Sequence, residues 1–216
     1  MNNVRIEKKF VLGTFKRNNL EKILLMNGFI KSFPSRFISS IYLDTLDFDF
    51  AKDNINGVSK RKKIRFRWYN DDYNNIFLEE KKKQNFLVEK DVDKIDTIVS
   101  RENLLKNLKD YFYGLKNRYN NFNYRFVLKT NYFRSYWISD NKKIRATIDT
   151  NIIASPIKDL NRKLDLNETI LEFKFLDNNE SFFRDYLFEK KFNLRSQKYS
   201  KYLQCFNVLE DSSLIN

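Results

Sequence analysis

The chain has 216 residues and a formal net charge of +13, from 41 lysines and arginines against 28 aspartates and glutamates. It contains no histidine, one cysteine (Cys205) and four glycines. This removes Ser-His-Asp triads, Cys-His dyads, HExxH zinc sites, internal disulfides and glycine-rich phosphate loops, so its chemistry must run on carboxylates, lysines, arginines, hydroxyls and any metal held by oxygen.

Taken in chain order, the hydropathy pattern predicts a mixture of strands and helices. Val4–Phe10 alternates with period two, Arg5, Glu7 and Lys9 on one face and Val4, Ile6 and Phe10 on the other. Asn18–Phe29 carries Leu20, Ile23, Leu24 and Met26 at helical spacing. Ser39–Thr45 reads as a strand with Tyr42 and Asp44. Arg61–Tyr69 puts Arg61, Lys63, Arg65 and Arg67 on one face and Ile64, Phe66 and Trp68 on the other. Ile76–Lys83 aligns Glu79, Lys81 and Lys83. Asp96–Asn117 is the longest predicted helix. Arg125–Trp137 opposes Tyr132, Arg134 and Tyr136 to Phe133 and Trp137. Lys143–Ile152 opposes Arg145, Thr147 and Asp149 to Ile144, Ala146 and Ile148. Ile170–Leu176 opposes Glu172 and Lys174 to Leu171, Phe173 and Phe175. Asn179–Phe192 and Tyr199–Leu209 close the chain as helices, with Cys205 a small buried hydrophobe on the last.

A half-buried strand ordinarily turns such charges to water. Here arginine and lysine recur at i, i+2 spacing on strand after strand, whereas solvent faces intersperse both signs with neutral polar residues. If the strands close into a barrel, one face lines the interior. Helices would then cover the apolar outer face, and Arg65, Arg67, Lys81, Arg134, Arg145 and Lys174 would converge. Cations gathered in one volume repel one another and are costly to desolvate, so such a lumen fits a polyanion. Arginine forks match phosphate oxygens bidentately and lysines act as point charges. A hydrophobic fraction of 42% supplies a core, and the length suits a single domain over residues 1–216. No apolar run reaches the roughly 18 residues of a membrane span, and Met1-Asn2-Asn3-Val4-Arg5 lacks an apolar signal region. The expectation is a soluble cytoplasmic protein.

These blocks resemble, in order, the VTC-type polyphosphate polymerase domain of the CYTH-like triphosphate tunnel metalloenzyme superfamily. They are Arg5-Ile6-Glu7-Lys8-Lys9-Phe10, Ser40-Ile41-Tyr42-Leu43-Asp44-Thr45, and Arg61-x-Lys63-x-Arg65-x-Arg67-Trp68-Tyr69 after Asn56-Gly57. Then come Leu78-Glu79-Glu80-Lys81-x-Lys83, Tyr132-x-Arg134-x-Tyr136, Arg145-Ala146-Thr147-Ile148-Asp149, Leu171-Glu172-Phe173-Lys174 and Tyr199-Ser200-Lys201-Tyr202. The resemblance implies an α+β fold, an eight-stranded antiparallel β-barrel tunnel with a charged lumen and helices outside. It implies transfer of the terminal phosphate of ATP to a growing polyphosphate chain. Lys9, Arg65, Arg67, Lys81, Arg134, Arg145, Lys174 and Lys201 would contact phosphates, with Lys90 from a loosely matching strand and Ser200 as a hydrogen-bond donor. Glu172 would ligate Mn²⁺ or Mg²⁺, and Glu7 is a second metal candidate. Glu79 and Asp149 could either orient the cations or hold metal.

The hydrolytic tunnel enzymes begin with ExExK, where this chain reads Arg5-x-Glu7-x-Lys9. Exchange of a carboxylate for a cation argues for the polymerase branch over two-metal hydrolysis. A tripolyphosphatase or nucleoside triphosphatase, a non-catalytic polyphosphate-binding module and an RNA-binding protein are the alternatives, in that order. The expected partners are ATP, triphosphate or polyphosphate, not nucleic acid. A separate membrane or regulatory partner is left open.

Overall fold

The computed structural model describes residues 5–13, 17–85, 87–96, 99–119, 123–185 and 195–215. The alternating segments form strands, because period-two patterning lets a strand bury one face while the other carries charge. They are β1 (Arg5–Val11), β2 (Phe29–Thr45), β3 (Lys60–Tyr69), β4 (Phe77–Gln84), β5 (Leu87–Lys94), β6 (Tyr124–Ser139), β7 (Arg145–Pro156), the two-residue β8 (Leu164–Asp165) and β9 (Ile170–Leu176). The helices are α1 (Arg17–Met26), α2 (Asp49–Ile55), α3 (Leu104–Gly114), α4 (Lys116–Tyr119), α5 (Glu180–Asp185) and α6 (Lys201–Asp211). The strand order is β1-β9-β7-β6-β2-β3-β4-β5, with β8 on β7. The described pairings β1–β9, β2–β3, β3–β4, β4–β5 and β7–β9 are antiparallel. The expected α+β class with an antiparallel sheet is therefore present; the strand path runs from β1 at one end to β5 at the other.

The chain forms two compact units. The first comprises residues 1–36, 132–152 and 165–200, the second residues 37–131, 153–164 and 201–216. In the first, Phe10, Ile144, Ala146, Ile148, Leu171, Phe173 and Phe175 pack against Leu20 and Leu24 of α1 and Phe183 of α5. In the second, Ile41, Leu43, Ile64, Phe66, Trp68 and Leu78 pack against Leu104, Leu108 and Phe112 of α3. The apolar faces named from the alternation are thus the helix-covered ones.

Some boundaries differ for physical reasons. β2 begins ten residues before the predicted Ser39, since its first part is exposed on both faces and shows no alternation. The long helix starts only at Leu104, because residues 101–103 form a bend and turn in which the Asn103 amide donates to Ser100 Oγ. Short α2 carries little helical periodicity. Its first turn is held instead by Asp44, which accepts from the Phe50 and Ala51 amides, and by Thr45 Oγ1, which accepts from the Asp49 amide. Residues 186–194, within the predicted Asn179–Phe192 helix, lie outside the described residues. Among the described residues, no helix is long and apolar enough to cross a membrane.

Candidate functional site

In the second unit, register decides the neighbours of the arginines. Antiparallel partners lie on the same face, and β2 and β4 place Tyr42 and Glu79 opposite Arg65, and Ser40 opposite Arg67. Glu79, buried at 5% exposure, is the hub. It accepts from Arg65 Nε at 2.7 Å and Arg65 Nη2 at 2.5 Å, and from Lys90 Nζ at 2.8 Å. Arg67 Nη1 lies 3.6 Å from the same carboxylate. Burial alone would push the Glu79 carboxyl up, but Arg65, Arg67 and Lys90 outweigh it and hold the group at about 2. A hydroxyl also accepts from each guanidinium: Arg65 Nη1 donates to Tyr42 Oη at 3.0 Å, and Arg67 Nε to Ser40 Oγ at 3.2 Å. Lys81, half-buried, stands opposite Lys63 on β3 and Lys90 on β5.

Lys62 on β3 and Lys82 on β4 take the other face. Lys62 Nζ lies 2.8 Å from Glu80 Oε1, and Lys82 and Arg118 approach that carboxylate as well. The basic run is thus divided between two faces, each with its own buried glutamate.

In the first unit, β1, β9 and β7 bring Lys9 opposite Glu172, Glu7 and Arg145 opposite Lys174, and Thr147 opposite Glu172. Glu172, at 7% exposure, lies between two lysines: Lys9 Nζ at 3.4 Å and Lys174 Nζ at 3.2 Å. Lys9 also donates to the Tyr199 carbonyl at 3.0 Å, and Lys174 reaches Glu7 Oε1 at 3.6 Å. Arg134 grips Asp149 with two parallel bonds of 2.6 and 2.7 Å. Burial works against the Arg134 cation, but Asp149 outweighs it and holds the guanidinium well above its ordinary value. Arg145 is exposed, Ser200 is half-buried just before α6, and Lys201 is the first residue of α6.

The structure corrects two expectations. The cations do not gather as bare positive charge: Glu79, Asp149 and Glu172 are interleaved with them, which lowers the repulsion the alternation alone implies. Glu79 accepts from Arg65 and Lys90, and Asp149 from Arg134. The helices do not all cover the apolar side either. Tyr202 of α6 stacks on Tyr42, with ring centroids 5.1 Å apart, on the face that carries Arg65. Its hydroxyl donates to Asp44 at 2.5 Å. Sequence reasoning passed over Ser40, the Tyr199 carbonyl and the Thr147 hydroxyl. The first was legible only through the β2–β3 register.

The metal candidates are Glu172 and Glu7. Among the described residues no three acidic, cysteine or histidine side chains gather into an all-protein cage. Thr147 Oγ1 is buried without a hydrogen-bond partner beside Glu172. Carboxylate and hydroxyl oxygens are the donor types that a hard divalent ion would take, with Glu172 and Glu7 as the residues that would hold it.

A family model described as the VTC domain matches residues 4–210. The chain belongs to the VTC domain family. No curated protein matches this VTC domain, but solved structures share its fold. One from Vibrio parahaemolyticus, named as a candidate adenylate cyclase, is 13% identical with a TM-score of 0.58, covering 96% of this chain and 99% of that one. Another from Bacillus halodurans, named likewise, is 12% identical with a TM-score of 0.57, covering 94% and 97%. A third from Hippeastrum, named as a candidate adenylyl cyclase with a dominant triphosphatase activity, is 12% identical with a TM-score of 0.55, covering 96% of each chain.

Proposed function

We propose that this VTC domain is a metal-dependent polyphosphate polymerase that transfers the terminal phosphate of ATP to a growing polyphosphate chain. The same reading takes the sheet as closing into the expected eight-stranded tunnel and the protein as acting in the cytoplasm. The observation that supports it most is the repeated unit of the site. Cations on successive strands are aimed by buried carboxylates and hydroxyls, with no histidine to serve as a base.

Phosphoryl transfer asks for positioning and charge neutralisation more than for covalent chemistry. A terminal oxygen of the polyphosphate attacks the γ-phosphorus, the bond to the bridging β,γ-oxygen breaks, and ADP leaves. The nucleophile is already anionic, so no proton need be removed. Arg65 and Arg67 would hold phosphate oxygens with their guanidinium groups. Lys81, Lys90 and Lys201 would add point charge. Lys9, Arg134, Arg145 and Lys174 would serve in the same way in the first unit, with Ser200 donating its hydroxyl. Mn²⁺ or Mg²⁺ on Glu172, with Glu7 as a second carboxylate, would supply further neutralisation of the transferred group. Each charge-assisted hydrogen bond contributes about 1.5–3 kcal/mol, so several of these cations suffice for tight triphosphate binding.

Hydrolysis is the second reading, favoured by the triphosphatase activity named for the Hippeastrum protein. Arg5 opposes it, because a cation stands where a carboxylate would help bind a second metal. Incubation with ATP and Mn²⁺, followed by a polyphosphate gel and a free-phosphate assay, separates the two. Chains with little phosphate are the expected result; phosphate without chains would establish the hydrolase.

A further inference from the structure

β2 carries a feature that phosphate chemistry does not use. Residues 30–34 are exposed on both faces of the strand, and Phe33 is 50% exposed. Phe33 is nevertheless held in place. Its ring lies edge-on to Tyr136, with centroids 5.7 Å apart and planes at 78°. The Arg36 guanidinium sits 4.6 Å from the Phe33 ring centroid and 5.0 Å from that of Tyr136. Arg36 Nη2 also donates to Tyr136 Oη at 2.9 Å. Phe33 and Arg36 are three residues apart and would face opposite ways on a regular strand. Pro34 lies between them, and both reach the same tyrosine.

Tyr136 ties this cluster to the charged face. It lies two residues beyond Arg134 on β6, so the two share a face about 7 Å apart along the strand. Arg134 is in turn locked to Asp149. Inorganic polyphosphate is a chain of phosphate groups and offers no flat apolar surface to an ordered, half-exposed phenylalanine. A nucleoside triphosphate carries a flat aromatic base at the far end of its phosphates. Phenylalanine, tyrosine and arginine planes stack nucleobases of any sequence.

We propose that Phe33, Arg36 and Tyr136 form a nucleobase platform that seats the base of a nucleoside triphosphate whose phosphates lie against the neighbouring cations. This rests on the phosphate-binding reading above and adds the nucleoside end of the substrate. Because stacking discriminates weakly between bases, the platform accepts GTP nearly as well as ATP.

The test measures ATP and tripolyphosphate affinity of the full chain by titration calorimetry, for wild type, Phe33→Ala and Phe33→Trp. Loss of one stacking surface should weaken ATP by about tenfold or more, leave tripolyphosphate unchanged, and be rescued by Phe33→Trp. Equal affinities of wild type and Phe33→Ala for ATP, or parallel weakening of both ligands, would overturn the platform, while tripolyphosphate binding by wild type would still support the phosphate reading. Failure of wild type to bind either ligand would overturn the phosphate reading itself, and the platform with it. Thermal unfolding of each variant checks that Phe33→Ala remains folded.

Discussion

Asp149 accepts from Nε and Nη2 of Arg134, at 2.6 and 2.7 Å, on the adjacent strand of the sheet. The pair shows how this protein keeps many cations on one face. Arg65, Lys90, Lys9, Lys174 and Arg134 each meet a buried carboxylate. Asp149 is fully buried, and breaking a buried pair from one side costs about 3–5 kcal/mol. Asp149→Asn should lower stability by that order in urea unfolding. A loss below about 1 kcal/mol would show that the pair is solvated and does not orient Arg134.

Glu79 predicts a pH dependence. Its folded-state value of about 2 lies below the ordinary 4.5. A depressed carboxylate contributes stability that is fully present above pH 4.5 and is lost as pH falls toward 2. The shift corresponds to about 3 kcal/mol. Stability curves of wild type and Glu79→Gln between pH 6 and pH 2 should converge at the acid end. A constant gap would refute the assignment.

Thr147→Val isolates the spare hydroxyl beside Glu172. A buried unsatisfied hydroxyl costs about 1–3 kcal/mol, so without ligand the variant should be as stable as wild type or more so. If the hydroxyl meets phosphate or its metal, the variant's thermal stabilisation by tripolyphosphate with Mn²⁺ should shrink. Full stabilisation would assign Thr147 to packing alone.

Arg145 stands opposite Lys174 but is exposed. Arg145→Ala should leave the unfolding free energy within about 0.5 kcal/mol of wild type. Its tripolyphosphate affinity should fall by about tenfold, the worth of one charge-assisted bond. Unchanged affinity would remove Arg145 from the phosphate site.

Tyr202 anchors the last helix. Its hydroxyl donates to Asp44, which also accepts from the Thr45, Phe50 and Ala51 amides. Burial raises the Asp44 carboxyl, and these donors oppose it. Tyr202→Phe should cost about 1.5–3 kcal/mol in thermal or urea unfolding. Through the Tyr42 stack on Arg65, it should also raise the ATP KM more than it lowers kcat. A stability loss with both kinetic parameters unchanged would make the anchor purely structural.

The sequence alone determined which residues share a face, because alternation has a period of two and strand geometry enforces it. Arg65 with Arg67, Arg145 with Thr147 and Asp149, and Glu172 with Lys174 fall together by this rule alone. The apolar partners Ile64, Phe66, Phe173 and Phe175 were likewise placed under helices. The extent of β2 was not legible, since a strand exposed on both sides leaves no periodic trace around Phe33 and Pro34.

Only the tertiary structure decided which charge meets which. Glu79 is fourteen residues from Arg65, Asp149 fifteen from Arg134, and Glu172 is joined to Lys9 across most of the chain. Those meetings depend on strand order and register, which periodicity does not encode. A list of cations read along the chain therefore overstates the bare positive charge. Folding sets a buried carboxylate among them, because cations this close are tolerated in a protein interior only when neutralised and hydrogen-bonded.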